Sequence, residues 1–232
     1  MKTIGIIGGM GPLATADLYR KIILKTKAET DQEHIHVIID SNTSIPDRTK
    51  NIISNGESPL KEIVKSAKKL ENYGAEFLIM SCNTAHYYYK DICQAINIPF
   101  INMLEETVKF IEKNYGKDKI AGLLATDGTI STGIYDEYFN RANIKIIKPN
   151  YTQKYVMEFI YEGIKKGNLE FDTSRFLKAI EELKKNGAEI FILGCTELSS
   201  AKETFNFNVN FIDPVDIIAE QAIKFAGGEL NK

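Results

Sequence analysis

Residues 74–86 read GAEFLIMSCNTAH, and residues 187–199 read GAEIFILGCTELS. Gly74 and Gly187, Ala75 and Ala188, Glu76 and Glu189, and Cys82 and Cys195 each stand 113 positions apart. In both copies a short apolar run follows the glycine and alanine, the pattern of a strand buried on both faces. A cysteine sits at the C-terminal end of each run. Polar residues follow it, Asn83-Thr84 in one copy and Thr196-Glu197 in the other, placed to open a helix. In open α/β sheets that edge is where ligands bind, and the amides of a helix N-terminus favour an anion there. Two such thiols facing one another across a ligand form an acid–base pair. Their position at helix starts predicts that their pKa values fall from about 8.5 toward neutrality.

The rest of the chain repeats the same alternation. Thr3 to Gly8 is a β-branched run. Gly8, Gly9 and Gly11 make a tight turn, and Pro12 suits a first helical position, where its missing N–H is no loss. The spacing predicts a helix over Ala14 to Lys27, a strand over Ile35 to Ile39, and a polar loop from Asp40 to Lys50. A helix opened by Ser58-Pro59 ends at Gly74, and Phe77 to Ser81 is the next strand. Thr84 to Ile96 reads as a helix, Phe100 to Asn102 as a short strand and Glu105 to Asn114 as a helix. At Lys119 the pattern restarts: KIAGLLATDGTISTGIYDEYF resembles KTIGIIGGMGPLATADLYRKI, with Gly5 and Gly122, and Gly11 and Gly128, both 117 positions apart. Ile144 to Ile147 follows as a strand, Tyr151 to Lys166 as a helix ended by Gly167, and Asp172 caps a helix ended by Gly187. The last helix, Pro214 to Ala226, is expected to pack back on the first half. Alternating strands and helices, written twice, predict an α/β fold of two pseudo-symmetric lobes. Each lobe is a mostly parallel sheet flanked by helices, with the site in the cleft between them. The expected division is 1–99 plus 206–232 for the first lobe and 100–205 for the second.

Composition narrows the function classes. The chain has 232 residues, 44% hydrophobic and 26% charged, which excludes disordered and collagen-like classes. A formal charge of −2 leaves no basic footprint for nucleic acid. No apolar run approaches the roughly 18 residues of a membrane span. MKTIGIIGGM reads as a first strand, not as a signal peptide, and three cysteines, an odd number, point to free thiols in a reducing cytoplasm. Cys93 lies inside a helical pattern and reads as a small buried hydrophobe. No Cys-x-x-Cys or His-x-x-x-His spacing suggests a metal. His34 and His36 read as solvated or edge residues. His86, four residues after Cys82, either orients that cysteine or packs. Gly9 to Ala14 satisfies G-x-G-x-x-A, and Asp40 closes the next strand, as in a nicotinamide dinucleotide site. Pro12 removes an amide from the turn that would hold pyrophosphate, and a dinucleotide gives no reason for duplicated thiols. A tight turn lining a small-molecule cleft accounts for the motif better.

Six ordered motifs carry a resemblance that spans most of the chain: KTIGIIGGMGPLAT, IPDRT at Ile45 to Thr49, MSCNTAH, LLATDGTI at Leu123 to Ile130, YEGIKKGN at Tyr161 to Asn168, and GCTE around Cys195. The chain resembles the aspartate/glutamate racemase family, and its aspartate racemases most. The resemblance implies two α/β lobes and racemisation of an acidic amino acid without pyridoxal phosphate or any other cofactor. It implies Cys82 and Cys195 as the two bases, and Arg48 and Lys165 on the side-chain carboxylate of the substrate. Met10, Asn83, Thr84, Thr126, Thr196 and Glu197 complete the expected substrate-binding set, and a homodimer is the expected assembly. The glutamate racemase branch differs, with aspartate-serine where Met10-Gly11 stand and histidine where Glu197 stands. The chemistry fits the residue types. Inverting Cα takes one thiolate and one thiol on opposite faces. Asn83, Thr84 and Thr196, with the helix-start amides, are placed to stabilise the enediolate. Arg48 suits a bidentate grip and Lys165 a point charge. The rival readings are a lyase or isomerase on the same scaffold, of maleate isomerase or malonate decarboxylase type, a nicotinamide-dependent oxidoreductase, and a non-catalytic binder of acidic metabolites.

Overall fold

The computed structural model describes residues 1–168, 170–205 and 207–231. The first half runs β1 (Ile4–Gly8), α1 (Pro12–Lys25), β2 (Val37–Ser41), α2 (Arg48–Ser54), α3 (Leu60–Asn72), β3 (Phe77–Met80) and α4 (Tyr89–Ala95), and α5 (Met103–Tyr115) closes it. The second runs β4 (Ala121–Leu124), α6 (Asp127–Thr132), α7 (Ile134–Arg141), β5 (Ile146–Ile147), α8 (Gln153–Glu158), α9 (Ser174–Lys185), β6 (Ile190–Leu193), α10 (Thr196–Phe205) and β7 (Phe211–Ile212), closed by α11 (Pro214–Ala226). The sheets have the orders β2-β1-β3 and β5-β4-β6-β7, and every strand pair is parallel. Matching strands therefore occupy matching places: β1 and β4 are inner strands, with β3 and β6 beside them.

Side chains leave each strand on alternate faces, and both faces are covered. Ile4, Ile6, Phe77 and Ile79 pack with α1 and α11, while Ile7, Leu78 and Met80 pack with α3 and α4. In the second sheet, Leu123 and Ile192 pack with α5 and α7, and Leu124, Phe191 and Leu193 with α8 and α9. Each such side chain, fully buried, contributes on the order of 1.5–3 kcal/mol. The helix that closes each half crosses to the other one. Leu104, Val108 and Ile111 of α5 join the second core, and Val215, Ile218 and Ile223 of α11 join the first. α11 thus packs where the sequence placed it.

The structure differs from the expected boundaries at both crossings. Phe100, assigned to the second lobe, makes a parallel bridge to Leu78 of the first sheet, and Phe100 to Asn102 forms no longer strand. Residues 206–212, assigned to the first lobe, include β7, which pairs with β6 of the second sheet. A two-residue strand is too short to show a period, so the sequence does not reveal it. The polar loop from Asp40 hides the start of α2, capped where the Asp47 side chain accepts from the Lys50 amide at 2.8 Å. Among the described residues no helix is long and apolar enough to cross a membrane.

Candidate active site

The C-terminal ends of β1, β3, β4 and β6 converge on one cleft. Cys82 follows β3 and Cys195 follows β6, and both thiols are free and buried, at 6% and 5% exposed. The turn after Cys195 opens α10 directly. After Cys82 the expected helix begins instead as a 3₁₀ turn, Thr84–Tyr88, before α4. His86 explains the difference. Its Nδ1 lies 2.8 Å from the Cys82 carbonyl, its Nε2 accepts the Met103 amide at 3.2 Å, and its own amide goes back to Asn83. With Nε2 accepting, Nδ1 carries the proton and donates it to that carbonyl. Burial pushes the imidazole pKa down to about 4. His86 therefore fixes the backbone of the cysteine turn as a neutral ring.

The glycine turn is pinned beside the thiols. The Gly9 amide donates to Thr15 Oγ1, that hydroxyl lies 2.9 Å from both the Gly11 carbonyl and Ser81 Oγ, and Gly9 takes φ +85°, where a Cβ would run into the Asn42 backbone. Asp40, the ribose-binding candidate of the dinucleotide reading, instead accepts from Ser66 and lies 3.7 Å from Lys69. Across the cleft, a Cβ at Gly128 would overlap Thr49, so α6 and α2 touch there only because that residue is glycine.

All ten residues singled out from the sequence line one small cavity: Met10, Arg48, Cys82, Asn83, Thr84, Thr126, Lys165, Cys195, Thr196 and Glu197. The walls are cross-tied between the halves. Thr196 Oγ1 donates to the Ser81 carbonyl at 3.2 Å. The Thr84, Thr126 and Thr129 hydroxyls lie within 3.2 Å of one another. The Tyr135 hydroxyl donates to Asn83 Oδ1 at 2.6 Å, while Asn83 Nδ2 is buried without a protein partner. The carboxamide thus has its acceptor engaged and a donor to offer. Asp47, Thr49 and Tyr161 also line the cavity, and sequence reasoning did not select them. Tyr161 had a usable signal, lying one helical turn before Lys165. Thr129 lies three residues after the selected Thr126, whereas Tyr135 had no signal, since its partner Asn83 stands 52 residues away.

Arg48 and Lys165 stand 117 positions apart, the same offset as the glycine pairs. Both line the cavity, Arg48 from the first turn of α2 and Lys165 from a 3₁₀ turn. Arg48 is 8% exposed and donates from one terminal nitrogen to the Ile45 and Pro46 carbonyls and from the other to the Met10 carbonyl, while Nε has no partner. Three of its five N–H groups go to backbone carbonyls, and the guanidinium also faces the Cys82 sulfur. Burial works against its charge, but the Cys82 sulfur, Asp47 and Glu197 hold the guanidinium pKa up. Lys165 reaches the site from an irregular helix. The expected single helix of 151–166 is α8, a π turn over Phe159–Gly163 and a 3₁₀ turn over Ile164–Lys166. π turns are frequent at functional sites, and this one lies between α8 and Lys165. Lys166 instead pairs with Glu162 on the surface.

Lys165 Nζ lies 2.6 Å from Glu197 Oε1, and Cys195 Sγ donates to Glu197 Oε2 at 2.9 Å. Burial would raise the Glu197 pKa and depress that of Lys165. The pair overcomes both: the carboxylate is held below its usual range, and the ammonium above its own. For Cys195 the expectation from sequence is reversed. Burial, then the Glu197 carboxylate, pushes its thiol well above the ordinary value, against the pull of Lys165. Cys93 stays outside the cavity, half-buried in α4 against the first core. Among the described residues no group of three or more His, Cys, Asp or Glu side chains is placed to hold a metal.

The model of the Asp/Glu/hydantoin racemase family matches residues 7–222. A broad-specificity amino-acid racemase of Bacillus subtilis is 30% identical over 224 residues, 95% of this chain and 96% of the relative. The aspartate racemase of Picrophilus torridus superposes with a TM-score of 0.89 at 33% identity, covering 100% of this chain and 97% of the other. An aspartate racemase homologue of Pyrococcus horikoshii gives 0.76 at 27% identity, over 98% of this chain and 100% of that one. Sequence and fold thus meet in the same family. The chain belongs to the Asp/Glu/hydantoin racemase family and is an amino-acid racemase.

Proposed function

We propose that the enzyme interconverts L- and D-aspartate without a cofactor, with Cys82 and Cys195 as its acid–base pair. One observation carries this reading. The equivalent cysteines of the two halves line the same small cavity as Arg48 and Lys165, the equivalent cations. A substrate held there with its distal carboxylate on the cations places Cα toward the thiols. One thiolate removes the α-proton, and the other thiol supplies a proton to the opposite face. The hard step is forming the enediolate, because a thiolate is a weak base for Cα–H. Asn83 Nδ2, free of a protein partner, and the threonine hydroxyls are the donors available to the developing charge. The Arg48 guanidinium suits a carboxylate. The expected setting is a homodimer in the cytoplasm, and sedimentation of the purified protein tests the assembly.

Incubating L-aspartate with the enzyme in D2O tests the reaction. Racemisation gives D-aspartate carrying deuterium at Cα. A lyase or isomerase of maleate type gives neither, and a binding module stabilises on ligand without turnover. The broad-specificity relative supports a second, wider reading, in which neutral amino acids also turn over; running alanine and glutamate beside aspartate separates the two.

A further inference from the structure

The racemase reading leaves open which thiol holds the proton when the cavity is empty. The two cysteines are almost equally buried, yet a guanidinium stands beside Cys82 and a carboxylate, itself paired with Lys165, beside Cys195. Cys195 points its S–H at Glu197, whose other oxygen is held by Lys165, and the Thr196 hydroxyl lies 3.4 Å from the oxygen that takes the thiol. The other titratable groups facing Cys195 are the phenols of Tyr135 and Tyr161, both kept protonated by burial. Beside Cys82 stands the Arg48 guanidinium, which draws part of its own stabilisation from that sulfur. Its remaining neighbours are the neutral Tyr88 phenol and the neutral His86 ring, which is turned to the Cys82 carbonyl.

Resting on the two-thiol reading, we infer that Glu197 is a positioning residue that stores the acid's proton on Cys195, so Cys195 waits as the acid of the pair and Cys82 serves as its base. The enantiomer whose Cα–H faces Cys82 then meets the acid already in place on its other face. The Cys82 thiolate takes that proton, and the C–H electron pair moves into the enediolate. The enediolate takes the Cys195 proton on its other face as product forms. The enzyme is left with a Cys82 thiol and a Cys195 thiolate set against the Glu197 carboxylate. Two like charges at hydrogen-bond distance make this the higher-energy form. Loss of one proton from Cys82 to water and gain of one by Cys195 restore the resting state.

Alkylation of the ligand-free protein with iodoacetamide, followed by peptide mass mapping, reads this directly, because only a thiolate reacts. The two cysteines are similarly buried, and following each rate across pH separates ionisation from access. Cys195 is expected to react more slowly than Cys82 at neutral pH, because its S–H is held on the Glu197 carboxylate. Glu197→Gln should bring the Cys195 rate up toward that of Cys82 and shift its rise to lower pH. Lys165→Met keeps the carboxylate and removes the opposing cation, so it should slow Cys195 further. Loss of packing alone would speed both thiols together. Equal rates in the parent protein, or an order that Glu197→Gln leaves intact, overturn the inference. The readout needs no turnover. Equal alkylation beside intact racemisation refutes the stored proton alone, and the expected order in a protein that leaves aspartate Cα–H unexchanged refutes the aspartate racemase reading alone.

Discussion

Replacing Tyr135 by phenylalanine removes one oxygen from a residue that the sequence never marked. Tyr135 and Asn83 are each 1% exposed, and the hydroxyl of one donates to Oδ1 of the other at 2.6 Å. The substitution leaves a buried carbonyl oxygen without its donor, which costs about 1–3 kcal/mol. A chain of this length loses about 2–4 °C of melting temperature per kcal/mol, so the expected drop is roughly 2–12 °C. The effect on catalysis is separate. With its acceptor held, the amide offers Nδ2 as a donor; released, it can turn. Complete loss of one donor to a developing oxyanion lowers kcat by about 10²–10³, so partial misorientation should cost tenfold or more with KM much less affected. Chiral chromatography of aspartate at saturating substrate, alongside thermal melts, measures both. Asn83→Ala sets the catalytic limit, and Tyr135→Phe in that background should cost little further activity. A folded Tyr135→Phe enzyme with the parent kcat would refute the argument that this bond aims the amide.

Cys82→Ala and Cys195→Ala should each abolish racemisation in both directions, since either enantiomer needs an acid and a base, whereas Cys93→Ala should keep the parent rate; chiral assay of the purified variants decides. Arg48→Ala should raise KM for aspartate about tenfold or more, the cost of a charge-assisted hydrogen bond, and Arg48→Lys should recover only part of it because an ammonium lacks the planar fork. His86 gives a pH-linked stability. Its pKa falls from 6.5 to about 4 on folding, so the unfolded chain takes up the proton first, and stability declines as pH falls from 6.5 to 4, by about 3 kcal/mol for a fully buried ring. Urea melts across that range should show the decline, and His86→Gln should remove this component. Glu197, held below its ordinary value by Lys165, adds stability that is complete above about pH 4.5 and is lost as pH falls through its folded pKa. Glu197→Gln should flatten the acid limb of the same melts.

The sequence by itself determined the architecture and which residues gather at one cleft. Repetition of the Gly-Ala-Glu strand and its cysteine at a fixed offset is a local signal. A strand and the turn after it are specified by the same dozen residues, so duplication places two equivalent turns at two equivalent sheet edges. The ten residues it picked all line the cavity. What the sequence left open were the relations between residues far apart in the chain. Tyr135 bonding Asn83, the crossing of α5 into the second half, and the two-residue β7 carry no period and no spacing, because their partners are set by packing. The charge state of the thiols belongs with these. A helix start lowers the pKa of a thiol in isolation, and the sequence shows that start plainly. Only the folded protein buries Cys195, turns the Glu197 carboxylate back onto its sulfur and anchors that carboxylate with Lys165 from a distant segment of the same half. Ionisation depends on burial and on the nearest fixed charge, and both are properties of three-dimensional neighbours.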